Sequence, residues 1–145
     1  MATLKVTIKE ELVLNGKDMG NENFLSIAGV NKAEHRVIDV ATTEQSVVLF
    51  DSALAAGTYV DGSVKHLRFT NLDDTNYIQL RVVNSVDGQQ YYAKLEAGET
   101  FILGNSEMYA DATGTSSTGT IASIDAIYAK ANTASCEMEM FIATT

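Results

Sequence analysis

Apolar and polar side chains alternate along most of this chain, and the pattern is densest between Val64 and Leu103. Leu67 and Phe69 share one phase, Ile78, Leu80 and Val82 a second, Tyr91, Ala93 and Leu95 a third, and Phe101 and Leu103 a fourth. The opposite phases carry His66, Arg68 and Thr70, then Gln79 and Arg81, then Tyr92 and Lys94. A period of two with one greasy and one wet side predicts antiparallel strands packed on a core by one face. Asn71-Leu72-Asp73-Asp74-Thr75-Asn76, Val86-Asp87-Gly88 and Glu96-Ala97-Gly98-Glu99 supply the turns between them, being rich in side chains that bond nearby backbone.

Upstream, Leu4, Val6, Ile8, Leu12 and Leu14 alternate with Lys5, Thr7, Lys9 and Glu11, with Glu10 falling in the apolar phase. The spacing predicts a long strand bent or bulged near Glu10-Glu11. A helix competes, because Leu4, Ile8 and Leu12 recur every four residues, but Val, Thr and Ile favour a pleated surface. Asn15-Gly16 then signals a tight hairpin, since both central residues of a type I′ turn need positive φ, and the return strand passes through Phe24-Leu25-Ser26-Ile27. His35 to Val40 and Ser46 to Phe50 read as strands, Ala53 to Ala56 as a candidate single helical turn, and Asp61-Gly62 as a turn into the central block. Ser123 to Lys130 reads as a buried strand, with a helix still open for so Ala-rich a stretch. Cys136, Met138, Met140 and Ile142 alternate with Glu137 and Glu139 in a last strand from which Phe141 points away. Between them Ala112 to Thr120 has too little apolar mass to pack and is expected to be an exposed loop. The expectation is an all-β, antiparallel β-sandwich, jelly-roll-like, of about nine or ten strands. It forms a single domain over residues 1–145, with residues 1–14 as a candidate pairing arm.

Composition narrows the function classes. A chain of 145 residues with 46% hydrophobic and 20% charged residues is long enough for a core of its own. Its single cysteine, Cys136, forms no internal disulfide, which fits assembly in a reducing cytoplasm. Nineteen acidic against ten basic residues give a net charge of −9, which repels phosphate backbones and argues against nucleic acid as a partner. The start of the chain lacks the apolar block of a signal peptide, and no window approaches the ~18 apolar residues of a membrane helix, so no membrane partner is expected. Proline is absent, leaving Gly, Asn, Asp and Ser to shape the loops.

Candidate chemistry is sparse. His35 and His66 belong to no metal-spaced motif, and His66 is expected on the wetted face of its strand. Cys136, in an apolar phase, reads as a buried inert thiol. Asp73-Asp74-Thr75-Asn76 offers oxygen ligands for calcium, but without EF-hand spacing it reads as a self-bonded turn. Glu10-Glu11 and Glu96 with Glu99 read as solvated charge, and a hydrolase using Asp73, Glu96 or Glu99 is the weakest reading. There is no phosphate-binding loop, no dinucleotide fingerprint and no nucleophile elbow. The expectation is therefore a non-enzyme with no catalytic, cofactor-binding or metal-binding residues. Arg68 and Arg81 fall on outward phases of strands expected to be neighbours; with Tyr77, Tyr92 and Phe141 they are the candidate residues of an interface.

The opening segment from Met1 to Ile27, the central VKHLRFTNLDDTNYIQLRVVN and the later YYAKLEAGETFIL resemble small β-sandwich virion proteins of tailed phages, marine ones especially. The likeness spans most of the chain and lies in strand cadence and in the phrases TN-DDTN-I-L and KLEAGE-FIL. It implies a structural virion component without an active site. The leading expectation is a capsid decoration, or cement, protein that binds major-capsid subunits through an outward sheet face and the N-terminal segment. It would act as a homo-oligomer, a trimer being one arrangement, and reside in the virion after assembly in the host cytoplasm. The alternative is a tail or fibre module recognising a host-surface receptor, glycan included, through Ala112 to Thr120 and the Tyr91-Tyr92 pair.

Overall fold

A computed structural model describes residues 1–84, 88–108 and 121–145, and every regular element among them is a strand. In chain order these are β1 (Ala2–Glu10), β2 (Val13–Leu14), β3 (Lys17–Asp18), β4 (Asn21–Val30), β5 (Lys32–Val40), β6 (Gln45–Asp51), β7 (Tyr59–Val60) and β8 (Val64–Asn71). They continue as β9 (Ile78–Asn84), β10 (Gln89–Leu95), β11 (Thr100–Leu103), β12 (Glu107–Met108), β13 (Ala122–Ser123), β14 (Ala126–Ala131) and β15 (Cys136–Thr144). The fold is the expected all-β, antiparallel sandwich. The fifteen strands among the described residues exceed the expected count because five of them are two-residue pairings too short to announce themselves by alternation. Ala53 to Ala56 forms no helical turn; Leu54 stands exposed, and the segment instead turns at Gly57 with φ 82°.

The body is two facing sheets. One has the order β10-β9-β14-β6-β7, antiparallel except for the β6–β7 pair, and the other β11-β8-β15-β5. The inward phases interdigitate as expected: Leu67, Phe69, Ile78, Leu80 and Val82 are fully buried with Ile127, Met138, Met140 and Ile142, and Tyr91, Ala93, Phe101 and Leu103 pack half-buried at the margin. The helix alternative for residues 123–130 fails because β14 lies between β9 and β6, where a buried strand has both ladders satisfied. Chain order and sheet order diverge in the central block. β9 and β10 form a hairpin in the five-stranded sheet, whereas β8 and β11 pair with each other in the four-stranded one. The chain therefore crosses the sandwich at residues 72–77 and returns at 96–99.

Asn71 fastens that crossing. It is fully buried, and its Nδ2 reaches the carbonyls of Asn76 (2.8 Å), Leu95 (3.1 Å) and Glu96 (3.1 Å), while its Oδ1 accepts the Asp73 N–H at 3.0 Å. Asp73 Oδ1 in turn accepts the N–H groups of Thr75 (2.8 Å) and Asn76 (2.5 Å), so the acidic turn is self-bonded, and these donors hold its carboxyl below the usual range.

Residues 1–30 stand apart from both sheets. β1 pairs antiparallel with β4, from Ala2 opposite Val30 to Glu10 opposite Asn21, and the ribbon continues past an irregular step at Glu11-Leu12 into the β2–β3 tip. Asn15 (φ 51°) and Gly16 (φ 77°) close that tip with the positive angles expected of Asn-Gly. At its root the Asn31 N–H donates to the Thr144 carbonyl (3.0 Å), tying the ribbon to the end of β15.

Candidate contact surfaces

The five interface candidates do not meet in one place. Arg68 and Arg81, expected on neighbouring strands, lie on opposite outer faces, because β8 and β9 belong to different sheets. Tyr77, Arg81 and Tyr92 gather on the outside of the five-stranded sheet; Arg68 and Phe141 share the outside of the four-stranded one.

The first face is laid out in rows by strand register. Lys94, Gln79 and Lys130 form one row across β10, β9 and β14, and Tyr92, Arg81 and Tyr128 the next. The Lys94 ammonium sits 4.3 Å from the centre of the Tyr77 ring, and the Arg81 guanidinium 4.2 Å from that of Tyr128, both at distances where a cation is attracted by a ring face. Arg81 is also held at its edge by Glu44, through Nε to Oε2 at 2.9 Å and Nη2 to Oε1 at 2.5 Å, and by Gln90 Oε1 at 3.2 Å. The paired guanidinium holds the Glu44 carboxyl below its ordinary range. This geometry fixes a long side chain in place, while Tyr92 beside it remains 54% exposed. A shallow groove runs between Tyr77, Gln79, Tyr92 and Lys94. Sequence reasoning missed Tyr128, Lys130 and Glu44; the first two keep an outward period of two with each other, a signal hidden by the alanines around them.

On the second face Arg68 pairs with Glu139 and donates to Thr70 Oγ1 at 2.5 Å, and His35 Nε2 lies 3.3 Å from the other Glu139 oxygen. Hydrogen bonds from Arg68 first and His35 second depress the Glu139 carboxyl. Phe141 does point outward, flanked by Arg68 and His35 in the register. His66 corrects the expectation of a wetted histidine. It is 4% exposed, with its ring edge-on to Phe141 at 6.0 Å. Burial first and the Arg68 charge second push its pKa down from 6.5. His35, by contrast, is exposed.

Cys136 is buried as expected, its thiol pushed up by burial and by Asp73 nearby. Tyr91 and Tyr92, adjacent in β10, point to opposite sides, Tyr91 toward the core, so they do not form one aromatic platform. Ala112 to Thr120 lies outside the described residues, as does most of the Val86-Asp87-Gly88 turn. Among the described residues, no three His, Cys, Asp or Glu side chains are grouped to hold a metal ion. Glu10 and Glu11 line an open groove at the bend of the ribbon, where Glu11 pairs with Lys9 at 2.5 Å. In comparisons with known proteins the sequence matches no family model and no curated protein.

Proposed function

We propose that this chain is a non-enzymatic virion protein of a tailed phage that decorates the capsid. It docks on major-capsid subunits through the outer face of the five-stranded sheet, with its N-terminal ribbon reaching toward a neighbouring molecule of the shell. The observation that carries the reading is the Tyr92-Arg81-Tyr128 row, in which an arginine locked by Glu44 and stacked on Tyr128 stands beside an exposed tyrosine on rigid strands. Tyr and Arg in pre-ordered positions lose little freedom on contact and dominate interface energetics. The resemblance in strand cadence supplies the capsid as the partner. A shell repeats each contact many times, so modest individual interfaces suffice to hold.

The test is co-sedimentation with expanded, undecorated capsids. Wild-type protein should bind, and Tyr92→Ala should weaken binding by about tenfold or more. Failure to bind capsids together with labelling of tails in micrographs would replace this reading with the receptor-binding one. That alternative has a foothold in the groove between Tyr77, Gln79, Tyr92 and Lys94, where aromatic walls meet an amide and an ammonium, a combination suited to sugars. Silence on a glycan array with host adsorption unchanged by Tyr92→Ala would retire it.

A further inference from the structure

The hairpin tip at Asn15-Gly16 carries a reaction that neither sheet face uses. In an Asn-Gly dipeptide the glycine nitrogen is unshielded by any side chain and closes on the asparagine side-chain carbonyl carbon to form a five-membered imide. Ring closure needs an amide free of hydrogen bonds, an accessible glycine nitrogen, and a backbone able to swing the two together. Asn15-Gly16 meets all three conditions. Both residues are exposed, and no atom lies within 4 Å of where a Gly16 Cβ would stand. Among the described residues, neither the Asn15 side chain nor the Gly16 N–H has a hydrogen-bond partner. The pairing that holds the turn is two rungs long, Val13 with Asp18 and Leu14 with Lys17, and Val13 and Leu14 are 71% and 52% exposed. So short a ribbon, unanchored by burial, is marginal in water and opens locally far more often than the body unfolds.

We propose that Asn15 is a site of spontaneous modification: the Gly16 nitrogen attacks Asn15 Cγ, ammonia leaves, and water opens the resulting succinimide to aspartate or isoaspartate. The Gly16 nitrogen gives up its proton as its bond to Cγ forms, and ammonia carries away the side-chain nitrogen. Hydrolysis at Cγ then gives aspartate, whereas hydrolysis at the backbone carbonyl carbon gives isoaspartate, whose main chain is one methylene longer. The closed turn does not react. Asn15 sits there in the left-handed region at φ 51°, where a positive ψ turns the following nitrogen away from the side chain, so closure takes place in the opened tip. Asp61-Gly62, open to the same attack with water as the leaving group, is protected by the fold. Asp61 is half-buried, its N–H donates to the Asp51 carbonyl (2.9 Å), and the Gly62 N–H donates to Ser106 Oγ (3.0 Å). The product also weakens the tip. A lengthened main chain no longer fits a two-residue turn, and the new carboxylate adds charge to a chain already at −9, next to a groove lined by Glu10, Glu11 and Asp18.

Ageing the intact chain at mildly alkaline pH tests this, followed by ammonia release and by peptide mapping with enzymatic labelling of isoaspartate. The peptide holding Asn15 should convert, gaining a negative charge and isoaspartate, while Asn71 and Asp61 stay intact until denaturant is added. A disulfide across the tip reports the route. Val13 and Asp18 stand directly opposite, one rung out from the pair that closes the turn, in the closer of the two kinds of antiparallel pair, and Cys136 is buried. Oxidised V13C/D18C should slow conversion by about tenfold or more by holding the tip shut, and reduction should restore the wild-type rate. The wild-type map stands whether or not that variant folds. Three results overturn the proposal: Asn15 intact in the folded chain under conditions that convert it in denaturant, Asp61 or Asn71 converting as fast as Asn15, or equal rates for the oxidised and reduced disulfide.

Discussion

Replacing Asn71 should damage this protein more than any surface change, and the sign of one substitution checks the reason. The Asn71 amide has two hydrogens and three carbonyl partners at 2.8 to 3.1 Å, and its oxygen takes the Asp73 N–H at 3.0 Å. That amounts to about three hydrogen bonds in a fully buried place, each worth about 1 kcal/mol net, so Asn71→Ala should cost about 3 kcal/mol. For a domain of this size the melting temperature should fall by about 6–12 °C. Asn71→Asp keeps the shape and the bond from Asp73, but turns a carboxylate oxygen toward the carbonyls of Asn76, Leu95 and Glu96. At neutral pH it should therefore be the less stable of the two variants. An acid whose folded pKa is raised gains stability as pH falls, because its protonated form can donate once more. Asn71→Asp should recover ground on Asn71→Ala under mild acid. Denaturant titrations of both variants at neutral and acidic pH provide the measurement. An Asn71→Asp protein as stable as Asn71→Ala at neutral pH, or a loss below about 1 kcal/mol for Asn71→Ala, would refute the account of how the crossing is fastened.

Three further outcomes are expected. His66 has its folded pKa depressed below 6.5 by burial and Arg68, so the unfolded chain binds its proton first. Stability should be full above pH 6.5 and fall as pH drops through that value, a slope that His66→Gln removes; Glu139, Glu44 and Asp73, all depressed, hold their contributions until pH falls below their ordinary values of 4.5, 4.5 and 3.8. Cys136 should resist alkylation at mildly alkaline pH while folded and react promptly in denaturant, because burial raises its thiol pKa; rapid labelling of the native protein would show that the start of β15 opens. Gly16→Val forces a branched side chain into φ 77° and should lower amide protection at Leu14 and Lys17 without moving the melting temperature of the body, as read by hydrogen exchange.

The features that a period of two encodes were legible in advance: which residues face inward, where β15 runs, and that Asn-Gly closes a hairpin. It does not encode which sheet a strand joins. Arg68 and Arg81 are both outward-facing, as the alternation says, yet only the path of residues 72–77 decides that outward means opposite directions for the two. The sign of that path is Asn71, an amide in a buried position at the end of a strand, whose partners lie up to 25 residues away and so leave no local trace. His66 fails for the same reason: its phase is outward, but Phe141, which arrives on β15 some 75 residues later, closes over it. The ribbon is the more instructive case. Leu4, Val6 and Ile8 alternate as cleanly as Ile78, Leu80 and Val82, but the second set is sealed by a facing sheet, whereas Leu4 and Val6 are half-buried and Ile8 is exposed. Alternation gives a strand two faces of different polarity but not what lies against the apolar one, so a strand sealed in a core and a strand left partly open have the same pattern. Only the fold tells them apart, by setting a second sheet against one of them.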